Sequence, residues 1–160
     1  MPAEADSTQV NAMHFLVATD GSPESDVALE HAVDLAGAAG AKLTVVHAVT
    51  PRIRSGGIEP TQSLSDAERR LIVENIEEAE ARGEAILEDA AREVSEAGVE
   101  VDTEMLYGDP VEAVAEYAAA DAHDGLFVGH RGLSDRAEAL LGSTASELLR
   151  RAPVPVTVVR

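Results

Sequence analysis

An apolar run, Leu126-Phe127-Val128, leads straight into Gly129-His130-Arg131-Gly132. Nine residues, 133–141, separate that turn from Gly142-Ser143-Thr144, which opens a helical pattern. The chemistry this arrangement suits is phosphate binding. Glycine carries no Cβ, so Gly129 and Gly132 permit a positive φ and let the main chain approach a ligand closely. Successive N–H groups in such a turn form an anion-binding concavity, and a helix starting at Ser143 adds unpaired N–H groups and a positive dipole end. Ser143 and Thr144 offer hydroxyl donors, and Arg131 offers a positive charge. His130 lies inside the loop, where a phosphate contact and a solvent-facing ring suit it equally. Two glycines three apart are common, as is a loop glycine followed by an N-cap serine. Their combination at a strand–loop–helix junction is the specific signal.

The elements that must position these residues alternate from end to end. Residues 14–19 form an apolar run ending in Asp20-Gly21-Ser22-Pro23, which predicts a buried strand and a turn into a helix capped by Ser22. That helix is expected over 23–39, with Ala28, Ala32, Leu35, Ala36 and Ala39 at helical spacing and Gly40 as its stop. Lys42–Val49 reads as a second strand. Residues 50–64 hold Pro51, Gly56, Gly57 and Pro60 without a period, so they predict a long irregular connection. Ser65-Asp66-Ala67-Glu68 has the form of a capping box. It opens a long helix striped by Ile72, Ile76, Ala79, Gly83, Ile86, Ala90, Val94 and Ala97 and ended by Gly98. Residues 99–106 alternate apolar and acidic positions, the pattern of a half-exposed edge strand. Asp109-Pro110 caps a third helix to about residue 122, and a fourth strand covers 126–128. A fourth helix over 142–151 and a fifth strand over 154–159 complete the chain. A β-α-β repeat of this kind demands a mainly parallel sheet covered on both faces. Ligands of such sheets bind beyond the strand carboxyl ends where strand order reverses, here the loops after the first and fourth strands.

Composition narrows the partners. The 160 residues suit one domain; residues 1–12 read as a flexible leader and 13–160 as that domain. Thirty acidic residues oppose one lysine and eleven arginines, for a formal net charge of −18. Such a surface repels nucleic-acid phosphates and anionic membranes. The acids are spread over helix faces rather than gathered in a tail, which reads as adaptation to a salty cytoplasm where screening limits self-repulsion. The polar, acidic start of the chain resembles no secretory signal, and no apolar run is long enough to span a bilayer, so a cytoplasmic location is expected. The absence of cysteine excludes disulfides and thiolate metal sites. His14, His31, His47 and His123 share no metal-ligand spacing and read as structural or surface residues.

The spacing Gly129-x2-Gly132-x9-Gly142-Ser143 resembles the ATP-binding signature of the universal stress protein family. The resemblance extends to Leu16-Val17-Ala18-Thr19-Asp20-Gly21-Ser22 and to Pro153-Val154-Pro155-Val156-Thr157-Val158-Val159, covering nearly all of 14–160. It implies a three-layer α/β/α sandwich of Rossmann-like, adenine nucleotide alpha hydrolase-like type, with a five-stranded parallel sheet in the order 3-2-1-4-5. It implies ATP at the strand carboxyl ends, with Mg possible through the phosphates, and homodimers paired through the last strand. By position, Ala18, Thr19 and Asp20 would lie by the ribose or purine, Ala48 would touch adenine through its backbone, and Val128 would line the same pocket. Gly129, His130, Arg131, Gly132, Gly142, Ser143 and Thr144 would hold ribose and phosphates. One departure is Asp124-Gly125, where the family usually has alanine-aspartate.

Catalysis is less well supported. There is no Gly-x4-Gly-Lys-Ser/Thr loop, and neither a nucleophilic serine elbow nor paired catalytic carboxylates can be located. The leading expectation is therefore an ATP-binding regulatory homodimer of the stress response. A slow ATPase or phosphotransferase follows, then a dimerising module that binds another adenosine nucleotide.

Overall fold

The computed structural model describes residues 12–50, 66–130 and 141–160, and the side chains of its longest helix from Ile76 onward. The elements are β1 (His14–Ala18), α1 (Pro23–Ala39), β2 (Lys42–Val49), α2 (Asp66–Glu96), β3 (Val101–Tyr107), α3 (Pro110–Ala120), β4 (Gly125–Gly129), α4 (Ser143–Arg151) and β5 (Val156–Val159). The five strands form one sheet in the order β3-β2-β1-β4-β5. Every pairing is parallel. This is the sheet and strand order that the family resemblance implies.

Alternation along the strands splits the core into two layers. Phe15, Val17, Leu43, Val45 and Phe127 face one side and pack on Leu29 and Val33 of α1 and Leu87, Ala90 and Val94 of α2. Leu16, Val46, Leu126 and Val128 face the other side, against Val111, Val114 and Ala118 of α3 and Ala145 and Leu148 of α4. Period-2 geometry forces this division, and it explains why the central strands are apolar at nearly every position. The chain's two phenylalanines meet edge to face, ring centroids 5.3 Å apart, a contact worth about 0.5–1.5 kcal/mol beyond its area.

Local signals held at most junctions. Ser22 caps α1 by accepting from the Ser25 N–H at 3.2 Å. Gly40 stops that helix in the left-handed conformation at φ 64°. Asp109 caps α3, accepting from the Glu112 N–H at 3.1 Å. The expected stripe of α1 holds at Ala28, Ala32 and Ala36, with Leu29 and Val33 buried in addition, whereas Leu35 and Ala39 are exposed. On α2 the stripe holds at Ala79, Gly83, Ala90 and Val94, but Ile76 and Ala97 are exposed and Leu87 is buried in addition. The capping box at Ser65, the 51–64 connection, the Ile72 side chain and residues 1–11 lie outside what is described. β5 starts at Val156, two residues later than expected. Pro155 has no N–H to give a ladder, yet its carbonyl accepts from the Leu126 N–H at 2.8 Å.

β3 forms one sheet edge with Asp102, Thr103 and Glu104 exposed, which blunts that edge against pairing. The single lysine, Lys42, reaches Asp102 at 2.6 Å from the neighbouring strand. At the sheet's amino end, Asp124 ties β4 to β1. Its carboxylate accepts from the His14 N–H, and its own N–H donates to the His14 carbonyl, both at 2.8 Å. The Asp124-Gly125 departure therefore leaves the entry of β4 well anchored.

His14 gives the fold a pH dependence. Its Nε2 lies 2.6 Å from Thr44 Oγ1, and its ring centroid lies 4.5 Å from that of His123 with the planes tilted by 44°. Burial, then the neighbouring His123 and Lys42, hold its pKa below the ordinary 6.5, outweighing Asp121 and Asp102. Folding therefore favours the neutral ring, so this contribution is intact above 6.5 and is lost as the pH falls below that value. Urea unfolding should give a stability that declines on acidification through this range, with His14→Gln reducing the slope. An unchanged slope in that variant would remove His14 as a cause.

Candidate functional site

β1 and β4 lie side by side at the centre of the sheet, and their chains leave in opposite directions, to β2 and to β5. This is the topological switch point at which a doubly wound sheet opens a crevice. The described site residues gather there. Ala18, Thr19 and Asp20 close β1, Ala48 lies near the end of β2, and Val128, Gly129 and His130 close β4. Gly142, Ser143 and Thr144 start α4. Arg131 and Gly132 lie outside the described residues.

Two main-chain hydrogen bonds assemble the β4–α4 end of the crevice. The Gly142 N–H donates to the His130 carbonyl at 2.7 Å, and the His130 N–H donates to the Val159 carbonyl at 3.0 Å. The first bond brings both ends of the glycine loop together. The second anchors them to β5. Gly142 is the N-cap of α4, buried, at φ −60° and ψ 155°. Ser143 and Thr144 are exposed. Within α4 the first intrahelical bond runs from the Ser146 N–H to the Gly142 carbonyl, 3.0 Å. The N–H groups before Ser146 have no intrahelical acceptor and meet the dipole's positive end, as an anion requires. These exposed hydroxyls and helix-start amides fit a phosphate group.

Gly129 has a different reason from the one its sequence suggests. It is not among the positive-φ glycines of the described residues, which are Gly21, Gly40, Gly98 and Gly108. A Cβ there would lie 2.7 Å from the Glu24 carbonyl oxygen and 3.0 Å from the Ser25 nitrogen. Glycine is needed because the end of β4 presses on the first turn of α1. It lets the end of β4 and the start of α1 meet closely, without a positive φ.

The turn after β1 is equally constrained. Asp20 is half-buried, and its Oδ1 accepts from the Ser22 N–H at 2.9 Å. Ser22 performs the capping, so Asp20 orders the turn without being the cap itself. Thr19 points inward: its hydroxyl lies 3.0 Å from Ser25 Oγ and accepts from the Gly21 N–H at 3.2 Å. Val128 is 4% exposed and packs in the α3/α4 core layer, so it shapes the crevice floor. His130 is half-buried. Ser25, which the sequence did not single out, and His47, which it read only as structural or surface, hold Thr19 from both sides. The one available signal was a histidine inside the otherwise apolar run of β2. Among the described residues, no group of three or more His, Cys, Asp or Glu side chains is arranged to hold a metal ion. No helix of the described residues is long and apolar enough to cross a membrane.

A doubly wound α/β/α domain with an anion-receptive helix start at its switch point is the class this fold and crevice define. The sequence profile of the universal stress protein family matches residues 12–160, and the chain belongs to that family. It is 32% identical over 149 residues to universal stress protein YxiE of Bacillus subtilis, spanning 91% of this chain and 97% of that one. Among solved structures it is similar to universal stress protein UspA from Lactobacillus plantarum. The TM-score is 0.77 at 25% identity, covering 92% of this chain and 97% of that one. It is also similar to a universal stress protein crystallised in complex with cAMP, TM-score 0.65 at 30% identity, covering 92% and 97%.

Proposed function

We propose that this chain, as one domain over 13–160, binds an adenine nucleotide across the carboxyl ends of β1, β2 and β4. ATP is the occupant that best suits the site. The protein then acts as a nucleotide-dependent regulatory homodimer in the cytoplasmic stress response. The observation that carries this reading is the 2.7 Å bond from Gly142 to His130, which sets the start of α4 against the end of β4. Ser143, Thr144 and the helix-start amides would take the phosphates together with Gly129, His130, Arg131 and Gly132, with any Mg held through phosphate oxygens. Asp20 would accept from the ribose or purine, and Ala48, beside Ala18 and Val128, would present main chain to adenine. The similar protein crystallised with cAMP supports an adenine ligand. Calorimetric titration with ATP, AMP and cAMP tests the proposal. ATP should bind tightest, because only it reaches the start of α4 with three phosphates. Absence of binding by all three would refute the reading.

Dimerisation is proposed through β5, the second sheet edge. Val156 and Val158 are half-buried against their own core layer, and no charged residue interrupts the strand before Arg160. An uncharged edge invites a second copy, and two-fold pairing is the commonest symmetry. Sedimentation should find a dimer at micromolar concentration in high salt, and Val156→Asp with Val158→Asp should yield monomer. An unmodified protein that sediments as a monomer would exclude this interface.

Salt dependence follows from the acidic surface. Burial, then Glu30, Asp26 and Glu96, push the Glu93 carboxyl above its ordinary value. A raised carboxyl is favourable to folding only while protonated, so at neutral pH this charge opposes the fold. It also lies in the last turn of α2, where the dipole disfavours an acid and no basic residue answers it. The melting temperature should rise from dilute buffer to molar KCl as the Debye length shrinks to about 3 Å. Glu93→Gln should raise it in dilute buffer by roughly 1–2 °C, with a smaller gain in molar KCl. A melting temperature flat across this range would contradict a high-salt habitat.

A further inference from the structure

We infer that His47 is a positioning residue for the crevice: the hydrogen bond from its Nδ1–H to the Thr19 carbonyl sets the peptide plane that aims Asp20. The nucleotide consequence rests on the proposed function; the positioning itself does not.

His47 sits in β2 directly before Ala48 and is 7% exposed. Its Nδ1 lies 2.8 Å from the Thr19 carbonyl oxygen. A carbonyl only accepts, so the hydrogen is on Nδ1. Thr19 is the first residue beyond β1, and its N–H donates to the Val46 carbonyl at 2.9 Å. Both main-chain groups of Thr19 are thus tied to β2, one by main chain and one by this ring. The Thr19 carbonyl shares a rigid plane with the Asp20 nitrogen. Holding that oxygen therefore fixes the direction in which Asp20 leaves the sheet. From the other side, the Ser22 N–H binds the Asp20 carboxylate, and Gly21 turns at φ 78° with Ile86 of α2 close against it.

The ring is itself held. Gly83 lies in the middle of α2, where glycine is ordinarily unfavourable. A Cβ at that position would come 2.8 Å from His47 Cδ2 and 3.0 Å from Met105 Sδ. The space left by the missing side chain is the space the imidazole occupies. α2, β2 and β1 therefore converge on one hydrogen bond, placed one residue before the acid that faces the crevice.

A space-filling core histidine would look similar, so the test separates donor from volume. Asparagine at position 47 presents an N–H where Nδ1 stands; glutamine carries its donor one bond further out. Without any ligand, ring-nitrogen NMR should find His47 protonated on Nδ1. Amide exchange at Gly21 and Ser22 should accelerate about tenfold in His47→Gln and Gly83→Ala, and stay within about twofold in His47→Asn. In ATP titrations the dissociation constant should rise about tenfold in the first two variants and be largely restored in His47→Asn. If asparagine and glutamine behave alike, or if the ring is unprotonated on Nδ1, His47 only fills space and the inference falls. If the unmodified protein binds no ATP, the nucleotide reading fails while the exchange data still decide His47.

Discussion

Replacing Gly129 with alanine should cost this protein about 1–3 kcal/mol of stability, the range of an overpacked core. The sign is not obvious in advance, because alanine is normally gained at little cost in a strand and restricts the unfolded chain. Here the new Cβ meets backbone, 2.7 Å from the Glu24 oxygen and 2.8 Å from its carbonyl carbon. A side-chain tip could swing aside, but the first turn of α1 cannot. It is fixed by Ser22, which is fully buried and caps the helix, and by the Ser25 hydroxyl donating to the Ser22 carbonyl at 2.9 Å. The strain must therefore open the gap between β4 and α1. Gly37→Ala is the control: it lies in α1 with nothing within 4 Å of its new Cβ, and should stabilise by about 0.5–1 kcal/mol. Paired denaturant melts would settle the matter. Equal and favourable effects in both variants would mean that Gly129 is not held against α1.

The second large effect is expected on binding. Gly142→Val should weaken ATP affinity by about 100-fold or more, since several charge-assisted hydrogen bonds of roughly 1.5–3 kcal/mol would be blocked together. The fold should tolerate the change. At φ −60° and ψ 155° the backbone suits any L-residue, and valine keeps the N–H that donates to His130. Glycine supplies no capping side chain here, but valine is a poorer N-cap, so a modest loss of helix stability accompanies the change. Ser143→Ala removes one exposed hydroxyl and should cost only about tenfold. Unchanged ATP affinity in Gly142→Val, with the melting temperature preserved, would move the phosphates away from the start of α4.

Much of this protein was legible in its residues because the signals are local or periodic. Alternating apolar runs and capped helices demanded a covered parallel sheet, and Ser22, Gly40, Asp109 and Gly98 marked where elements begin and end. The helix-start pattern at Gly142-Ser143-Thr144 named the candidate site before any coordinates did. Faces and partners were decided only in three dimensions. The apolar stripe of α1 marked Ala28, Ala32 and Ala36 correctly, and packing against the sheet added Leu29 and Val33 and left Leu35 exposed. Gly129 read as a loop glycine suited to positive φ, yet it takes none, and glycine is needed there for the main chain of Glu24, more than a hundred residues earlier. His47 and Gly83 carried no motif at all. Their fit depends on α2 crossing β2 at one height, and no spacing within either segment encodes that height. Local chemistry marked where the proposed phosphates would be received, and the meeting of distant backbones determined how the crevice around that place is held.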